Sequence, residues 1–326
     1  MTSNNAILLQ AYGKLYLQFT FLSSFSLRDS GFTDEILIYC DPRYIDKLIQ
    51  FNKDYKLDLN IKPFNINSYT RTYGPAYRFL YDVDYWSGKN IYIADTDTYF
   101  CLDRNIFKSL NQHSSTIGMP LSCMTREIET FNNRSIRMIL SNLKHGGFLT
   151  AYKLARYSKM QNLYRSTMGY IYLKSELTSS KEFINVCKKY LGILEKKPKF
   201  LHHVRLFYDE SFFYDLLSEL NLYPPIVHKN MMNKIKYQID YIPGSIYYRP
   251  MWGIHMHSLR PKKFFGGNKK PTQDLLKDKT FYRYVLKFVN DINSPKTSKL
   301  MNYFDDDFKN FIIKLKNEFE DLLQNV

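Results

Sequence analysis

The chain has 326 residues, 44% of them hydrophobic and 17% aromatic, enough for one sizeable core and too much for a disordered chain. Lys and Arg outnumber Asp and Glu by 46 to 31, a formal net charge of +15, so the surface attracts polyanions without choosing among nucleotides, nucleic acid and anionic lipid. No window reaches the roughly 18 to 20 apolar residues of a membrane span, and "MTSNNAILLQAYG" lacks the basic start and cleavage site of a signal peptide. The expected location is therefore cytoplasmic, a host's cytoplasm if the chain is viral, or peripheral at a membrane surface.

The first 100 residues alternate short apolar runs with helical patterns. "AILLQAY" reads as a strand, "YLQFTFLSSFSLRDSG" as a helix ended by Gly31, "EILIYCD" as a second strand and "PRYIDKLIQFN" as a helix begun by Pro42. A weaker strand, "LNIKPFNI", is followed by "GPAYRFLYDVDYW", whose aromatic and Leu spacing suits a helix, and by the strand "KNIYIAD". Strands separated by helices of this length predict a parallel sheet with ligands at the carboxyl ends of its strands. Further along, "HSSTIGMPLSC" and "MGYIYLKSE" supply strands, while "NRSIRMILSNLKHGG", "SSKEFINVCKKYLGILEKK" and "YDESFFYDLLSELN" supply helices. After residue 270 come two amphipathic helices, the second opened by Asp305, Asp306 and Asp307, acids that complement a helix dipole better than they would serve a metal. Cys40, Cys101, Cys123 and Cys187 are scattered without metal-ligand spacing and read as buried free thiols.

The strand "NIYIAD" ends in Asp95, and Asp97 follows two residues later. Residues i and i+2 of a strand share a face, so two hard oxygen ligands are expected side by side, suited to Mg²⁺ or Mn²⁺ with a nucleotide diphosphate as co-ligand. Asp is equally at home in a turn, which is the plain alternative. A second i, i+2 pair, His255 and His257, precedes the basic glycine-containing loop "RPKKFFGG", a place where a lid over phosphates would be useful.

The run "GPAYRFLYDVDYWSGKNIYIADTDTYF" resembles the signature region of GT-A glycosyltransferases of the glycogenin-like and lipopolysaccharide-glycosyltransferase-like kind. Tyr77 and Arg78 match that family's helical Tyr-Arg pair, and Asp95-Thr96-Asp97 its Asp-X-Asp motif. The resemblance implies an α/β fold, a Rossmann-like, mixed and mostly parallel sheet flanked by helices, occupying residues 1–268, with a C-terminal helical extension over 269–326. It implies that Asp95 contacts ribose or metal, that Asp97 coordinates Mn²⁺ or Mg²⁺, and that Arg78 approaches the sugar diphosphate. It places Gln10, Ala11, Tyr12 and Asp41 around the nucleotide, His255 or His257 on the metal, and Lys262 and Lys263 on the diphosphate. Gly169 matches the family's Asn-Ser-Gly strand, although Thr167 or a neighbour stands where Asn is expected. Asp209 and Glu210 stand at its Asp-Gln position, as groups that orient the sugar or act as a base. The family's Gly between His and Lys is replaced by Ser258-Leu259-Arg260-Pro261.

The reaction so implied is metal-dependent transfer of a sugar, with retained configuration, from a nucleotide-diphosphate sugar (a UDP-sugar first among them) to an acceptor hydroxyl. The acceptor is a saccharide, lipid-linked or not, or the hydroxymethylated DNA base of some phages. Two other classes compete: a metal-dependent nucleotidyltransferase or nuclease, which lacks a third acid at convincing spacing, and a non-catalytic basic binding protein.

Overall fold

The structure, a computed structural model, describes residues 4–64, 77–78, 80–101, 106–111, 116–120, 170–196, 220, 239–242, 252–256, 276–277 and 279–325. In chain order these form β1 (Asn5–Ala11), α1 (Gly13–Asp29), β2 (Glu35–Cys40), a 3-10 turn (Pro42–Tyr44), α2 (Ile45–Tyr55), β3 (Leu59–Pro63), α3 (Val83–Trp86), β4 (Asn90–Ala94) and β5 (Thr98–Phe100). There follow α4 (Ile106–Leu110), β6 (Ile117–Pro120), β7 (Tyr170–Leu173), α5 (Ser175–Thr178), α6 (Lys181–Lys196), β8 (Ile239–Ile242), β9 (Gly253–His255), α7 (Lys279–Ile292), α8 (Pro295–Leu300) and α9 (Asp306–Gln324). The helices expected from "NRSIRMILSNLKHGG" and, apart from Leu220, from "YDESFFYDLLSELN" lie outside the described residues, as does Cys123.

Seven strands form one sheet in the order β3-β2-β1-β4-β7-β6-β8. The first four are parallel, β7 is antiparallel to both β4 and β6, and β6 is parallel to β8, so the expected mixed, mostly parallel α/β sheet is present. Helices cover both faces, which is why "AILL" and "EILIYC" are apolar without alternation. Ile7, Leu9, Ile36, Ile38 and Tyr92 enter one core, while Ala6, Leu8, Leu37, Tyr39 and Ile91 enter the other.

α1 runs through the first core, and every residue from Leu17 to Leu27 is buried. It ends as its Gly predicts. Gly31 is left-handed at φ 83°, its N–H donates to Arg28 O, and Phe32 N–H donates to Leu27 O with both side chains buried, a Schellman closure. The C-terminal helices share this core: Phe19 meets Phe308 edge-on at 4.8 Å between ring centroids, and Phe21 meets Tyr303 at 5.3 Å. Asp305 caps α9 by accepting from Phe308 N at 2.9 Å, and Gln18 of α1 bonds both its carboxylate and its N–H.

Two local expectations are corrected. The helix read over "GPAYRFLYDVDYW" is not continuous: a turn at Tyr77, with Tyr81 N–H donating to Tyr77 O at 2.7 Å, is separated from α3 by Asp82 at φ 55°. Asp tolerates that conformation, and here its carboxylate is held by Lys62 at 2.8 Å and Tyr39 Oη at 3.1 Å. Secondly, Asp95 and Asp97 are not on a strand, because the extended run stops at Ala94 and both acids lie in the bend before β5. Their proximity therefore comes from the bend and not from the pleat.

Candidate metal centre

β5 leaves the main sheet and pairs antiparallel with β9, Thr98 opposite His255 and Phe100 opposite Gly253. This register carries His255 to the two acids, and Met256 N–H extends the ladder by donating to Asp97 O at 2.8 Å. Only glycine fits at the far end of the pair. A Cβ on Gly253 would overlap Tyr99 O and lie 2.8 Å from Phe100 Cα.

His255 Nε2 sits 3.2 Å from Asp97 Oδ1 and 3.4 Å from Asp95 Oδ2, and all three prospective ligand atoms lie within 4.8 Å of one another. The other oxygen of Asp95, Oδ1, accepts from Arg78 Nη1 at 2.6 Å. Side-chain exposure is 5% for Asp97, 12% for His255 and 27% for Asp95, so the cluster opens to solvent on the Asp95 side.

Burial by itself would raise the Asp95 carboxyl, but Arg78 and His255 outweigh it and hold it below its ordinary value. For His255, burial favours the neutral ring, yet Asp97 and Asp95 prevail and push its pKa up to about 9. At neutral pH the metal-free imidazole is thus a cation between two carboxylates. Adjacent ligands of an octahedral ion with bonds near 2.1 Å are about 3 Å apart, so the observed spacings fit Mg²⁺ or Mn²⁺ once His255 surrenders its proton.

The floor is built from tyrosines. Tyr92 of β4 and Tyr170 of β7 are stacked at 6.1 Å and fully buried, and Tyr170 meets the His255 ring edge-on at 5.7 Å. Burial drives both phenols well above their ordinary range, so both hydroxyls stay neutral.

Gln10 backs the bend, its O accepting from Thr96 Oγ1 at 3.0 Å, and Ala11 O accepts from Asp41 N at 3.0 Å. Tyr12 is half-buried at the N-cap of α1. Asp41 is buried and engaged by the Arg43 guanidinium at 2.5 Å and by the N–H groups of Arg43 and Gly13, which lowers its pKa. Tyr77 is packed in the second core, edge-on to Phe64 at 5.8 Å, while its neighbour Arg78 reaches Asp95. Gly169, Asp209, Glu210, His257, Lys262 and Lys263 lie outside the described residues. Thr98, Tyr170 and Gly253 also shape the site, and no motif in the sequence marks them. The one available signal was the pattern Gly-Ile-His, an apolar residue between a glycine and a ligand type, matching the length of "TYF".

No protein-family model matches the sequence, and no curated protein matches it. Among solved structures, the galactosyltransferase LgtC in complex with donor and acceptor sugar analogs aligns at 10% identity over 72% of each chain, with a TM-score of 0.39. The bifunctional glycosyltransferase WbbM aligns at 10% identity over 74% of this chain and 39% of that one, TM-score 0.42. The 4-diphosphocytidyl-2C-methyl-D-erythritol synthase of Anaerococcus prevotii aligns at 9% identity over 74% and 87%, TM-score 0.37. At such scores the functional reading rests on the site and not on the likeness.

Proposed function

We propose that the chain is a metal-dependent glycosyltransferase that moves a sugar from a nucleotide-diphosphate sugar, a UDP-sugar first among the candidates, to an acceptor hydroxyl. The observation that carries the proposal is the convergence of Asp95, Asp97 and His255 where a parallel strand ends, with Arg78 on the same carboxylate. Two carboxylates suit Mg²⁺ or Mn²⁺, and the imidazole favours Mn²⁺ of the two. When bound there, such an ion supplies positive charge to a diphosphate leaving group.

The chain's own groups do the rest. Arg78 keeps Asp95 ionised and is a fixed cation beside the position of the diphosphate, where no reorganisation is needed as charge develops. Lys262 and Lys263 are assigned to the same diphosphate, His257 to an alternative metal contact, Gly169 to close approach of the donor, and Asp209 or Glu210 to the sugar hydroxyls or to proton removal from the acceptor; these assignments rest on motif order. Gln10, Ala11, Tyr12 and Asp41 ring the ends of β1 and β2, where the nucleoside is assigned. The net charge of +15 supports an anionic acceptor, DNA with a hydroxymethylated base or a lipid-linked saccharide at a membrane surface. Among the described residues no helix is long and apolar enough to cross a membrane.

The test is a thermal-shift screen with UDP, GDP, ADP and CMP derivatives, with and without Mn²⁺, on the wild type and Asp97→Asn. A metal-dependent rise with one nucleotide, absent from the variant, is expected, followed by release of that nucleotide from its sugar conjugate. Pyrophosphate release from a nucleoside triphosphate instead would select a nucleotidyltransferase, and no response to any nucleotide would refute the donor assignment.

A further inference from the structure

The bend bearing Asp95 and Asp97 lies outside the ladders of the main sheet, and Gln10 of β1 reaches it through the Thr96 hydroxyl. On one side Met256 N–H takes Asp97 O. Among the described residues, further contacts of this segment come from the buried face of α1. Ser23 Oγ lies against both carbonyls that flank Asp97, those of Thr96 and Thr98, the latter at 2.7 Å, and its one proton is shared between them. Three residues on, Ser26 Oγ accepts from Phe100 N at 2.9 Å, and Ser30 Oγ donates to Phe100 O at 3.2 Å. Residues spaced in this way share one helix face, so α1 and its C-cap Ser30 present a row of hydroxyls that serves residues 96–100 as a neighbouring strand would.

From beneath, the bend is held by β7. Thr98 Oγ1 donates its single proton to Asp95 O at 2.8 Å. The contact of 2.5 Å between Thr98 Oγ1 and Tyr170 Oη therefore has Tyr170 as donor. The same Tyr170 touches the His255 ring edge-on, so one side chain reaches both arms of the metal cluster.

We infer that Ser23 and Tyr170 are positioning residues of the metal centre: neither reaches the ion, and together they set the conformation of residues 95–98 in which Asp95, Asp97 and His255 converge. This rests on the metal-binding reading of those three side chains. A buried, satisfied hydroxyl network has one low-energy arrangement, and losing a member frees the groups it had fixed.

The test is titration with Mn²⁺ alone, followed by the electron paramagnetic resonance of free Mn²⁺, on wild type, Ser23→Ala, Tyr170→Phe and Ser26→Ala. Ser26→Ala likewise removes a hydroxyl-to-backbone bond of the same helix, one in which the hydroxyl is the acceptor, but at Phe100, beyond the bend. The expected result is a roughly tenfold weaker Mn²⁺ affinity in Ser23→Ala and Tyr170→Phe, and less than about a twofold change in Ser26→Ala, with urea midpoints lowered in all three. Wild-type affinity in folded Ser23→Ala and Tyr170→Phe would overturn the inference while leaving the metal centre intact. Should Ser23→Ala not fold, Tyr170→Phe, which keeps its ring, decides alone by the same criterion. Absence of Mn²⁺ binding by the wild type overturns the metal centre itself, and the inference with it.

Discussion

The protonated state of His255 makes a quantitative prediction about the metal-free protein. The imidazole has a pKa of about 9 in the folded chain against an ordinary 6.5, because it lies between Asp97 and Asp95 in a buried site. A group whose pKa is raised by folding stabilises the fold fully below the unfolded value and loses that contribution as pH rises through the folded value. The loss should thus run from about pH 6.5 to about pH 9 and total about 3 kcal/mol. Asp95, whose pKa is lowered, stays ionised throughout this window and adds no slope. Urea midpoints at half-unit pH steps, compared between wild type and His255→Asn, isolate the contribution from other titrations. The wild type should fall relative to the variant across the window, and the variant should start lower because the imidazolium between its two carboxylates is gone, although Arg78 still pairs with Asp95. Mn²⁺ should reverse the trend, since it must displace the imidazole proton: apparent affinity rises about tenfold per unit below about pH 9. Parallel wild-type and variant profiles between pH 6.5 and 9 would refute the assigned electrostatics.

Gly253→Ala should prise β9 from β5, because the added methyl overlaps Tyr99 O; a loss of about 1–3 kcal/mol in urea unfolding and failure to bind Mn²⁺ are expected, and wild-type binding would contradict the close approach. Phe308→Ala empties a fully buried site against Phe19 and should cost about 3–5 kcal/mol in the same assay, whereas a change below about 1 kcal/mol would show that α9 is not part of the core. Burial pushes the Cys40 thiol up to about 12 and raises that of Cys187, so neither should react with an aromatic disulfide at pH 8 until the chain is unfolded; prompt labelling of either, located by mass spectrometry, would speak against the packing.

Much of this was open to inspection in the amino-acid order. The doubly covered strands announce themselves as unbroken apolar runs, and Gly31 marks the end of α1 because only a left-handed residue closes that helix. Strand direction was not legible: "YIYL" reads the same whether it runs with or against β4, and it runs against it. The Asp pair was legible as chemistry but for an incorrect geometric reason, since a bend and not the pleat brings the oxygens together. Of the two histidines, His255 falls in the cluster, and its placement depends on a pairing between segments about 155 residues apart, which periodicity cannot report. Ser23 and Ser26 are the instructive omission. In "FLSSFS" they pass for tolerated small residues in an apolar helix, and their use becomes visible only when the backbone they satisfy is in place.

The sharing of one core by α1 and α9 bears on how the molecule is made. Gln18 and Asp305 are 287 positions apart, yet each completes the other's hydrogen bonding, and Phe19 is covered by side chains from the same late segment. During vectorial synthesis the helix that carries Ser23 must wait, its outer face uncovered, until residues 306–324 emerge. Messages interrupted before that point yield chains in which every proposed ligand has been translated but the scaffold aligning them has not closed, and these are natural clients for chaperones and proteases.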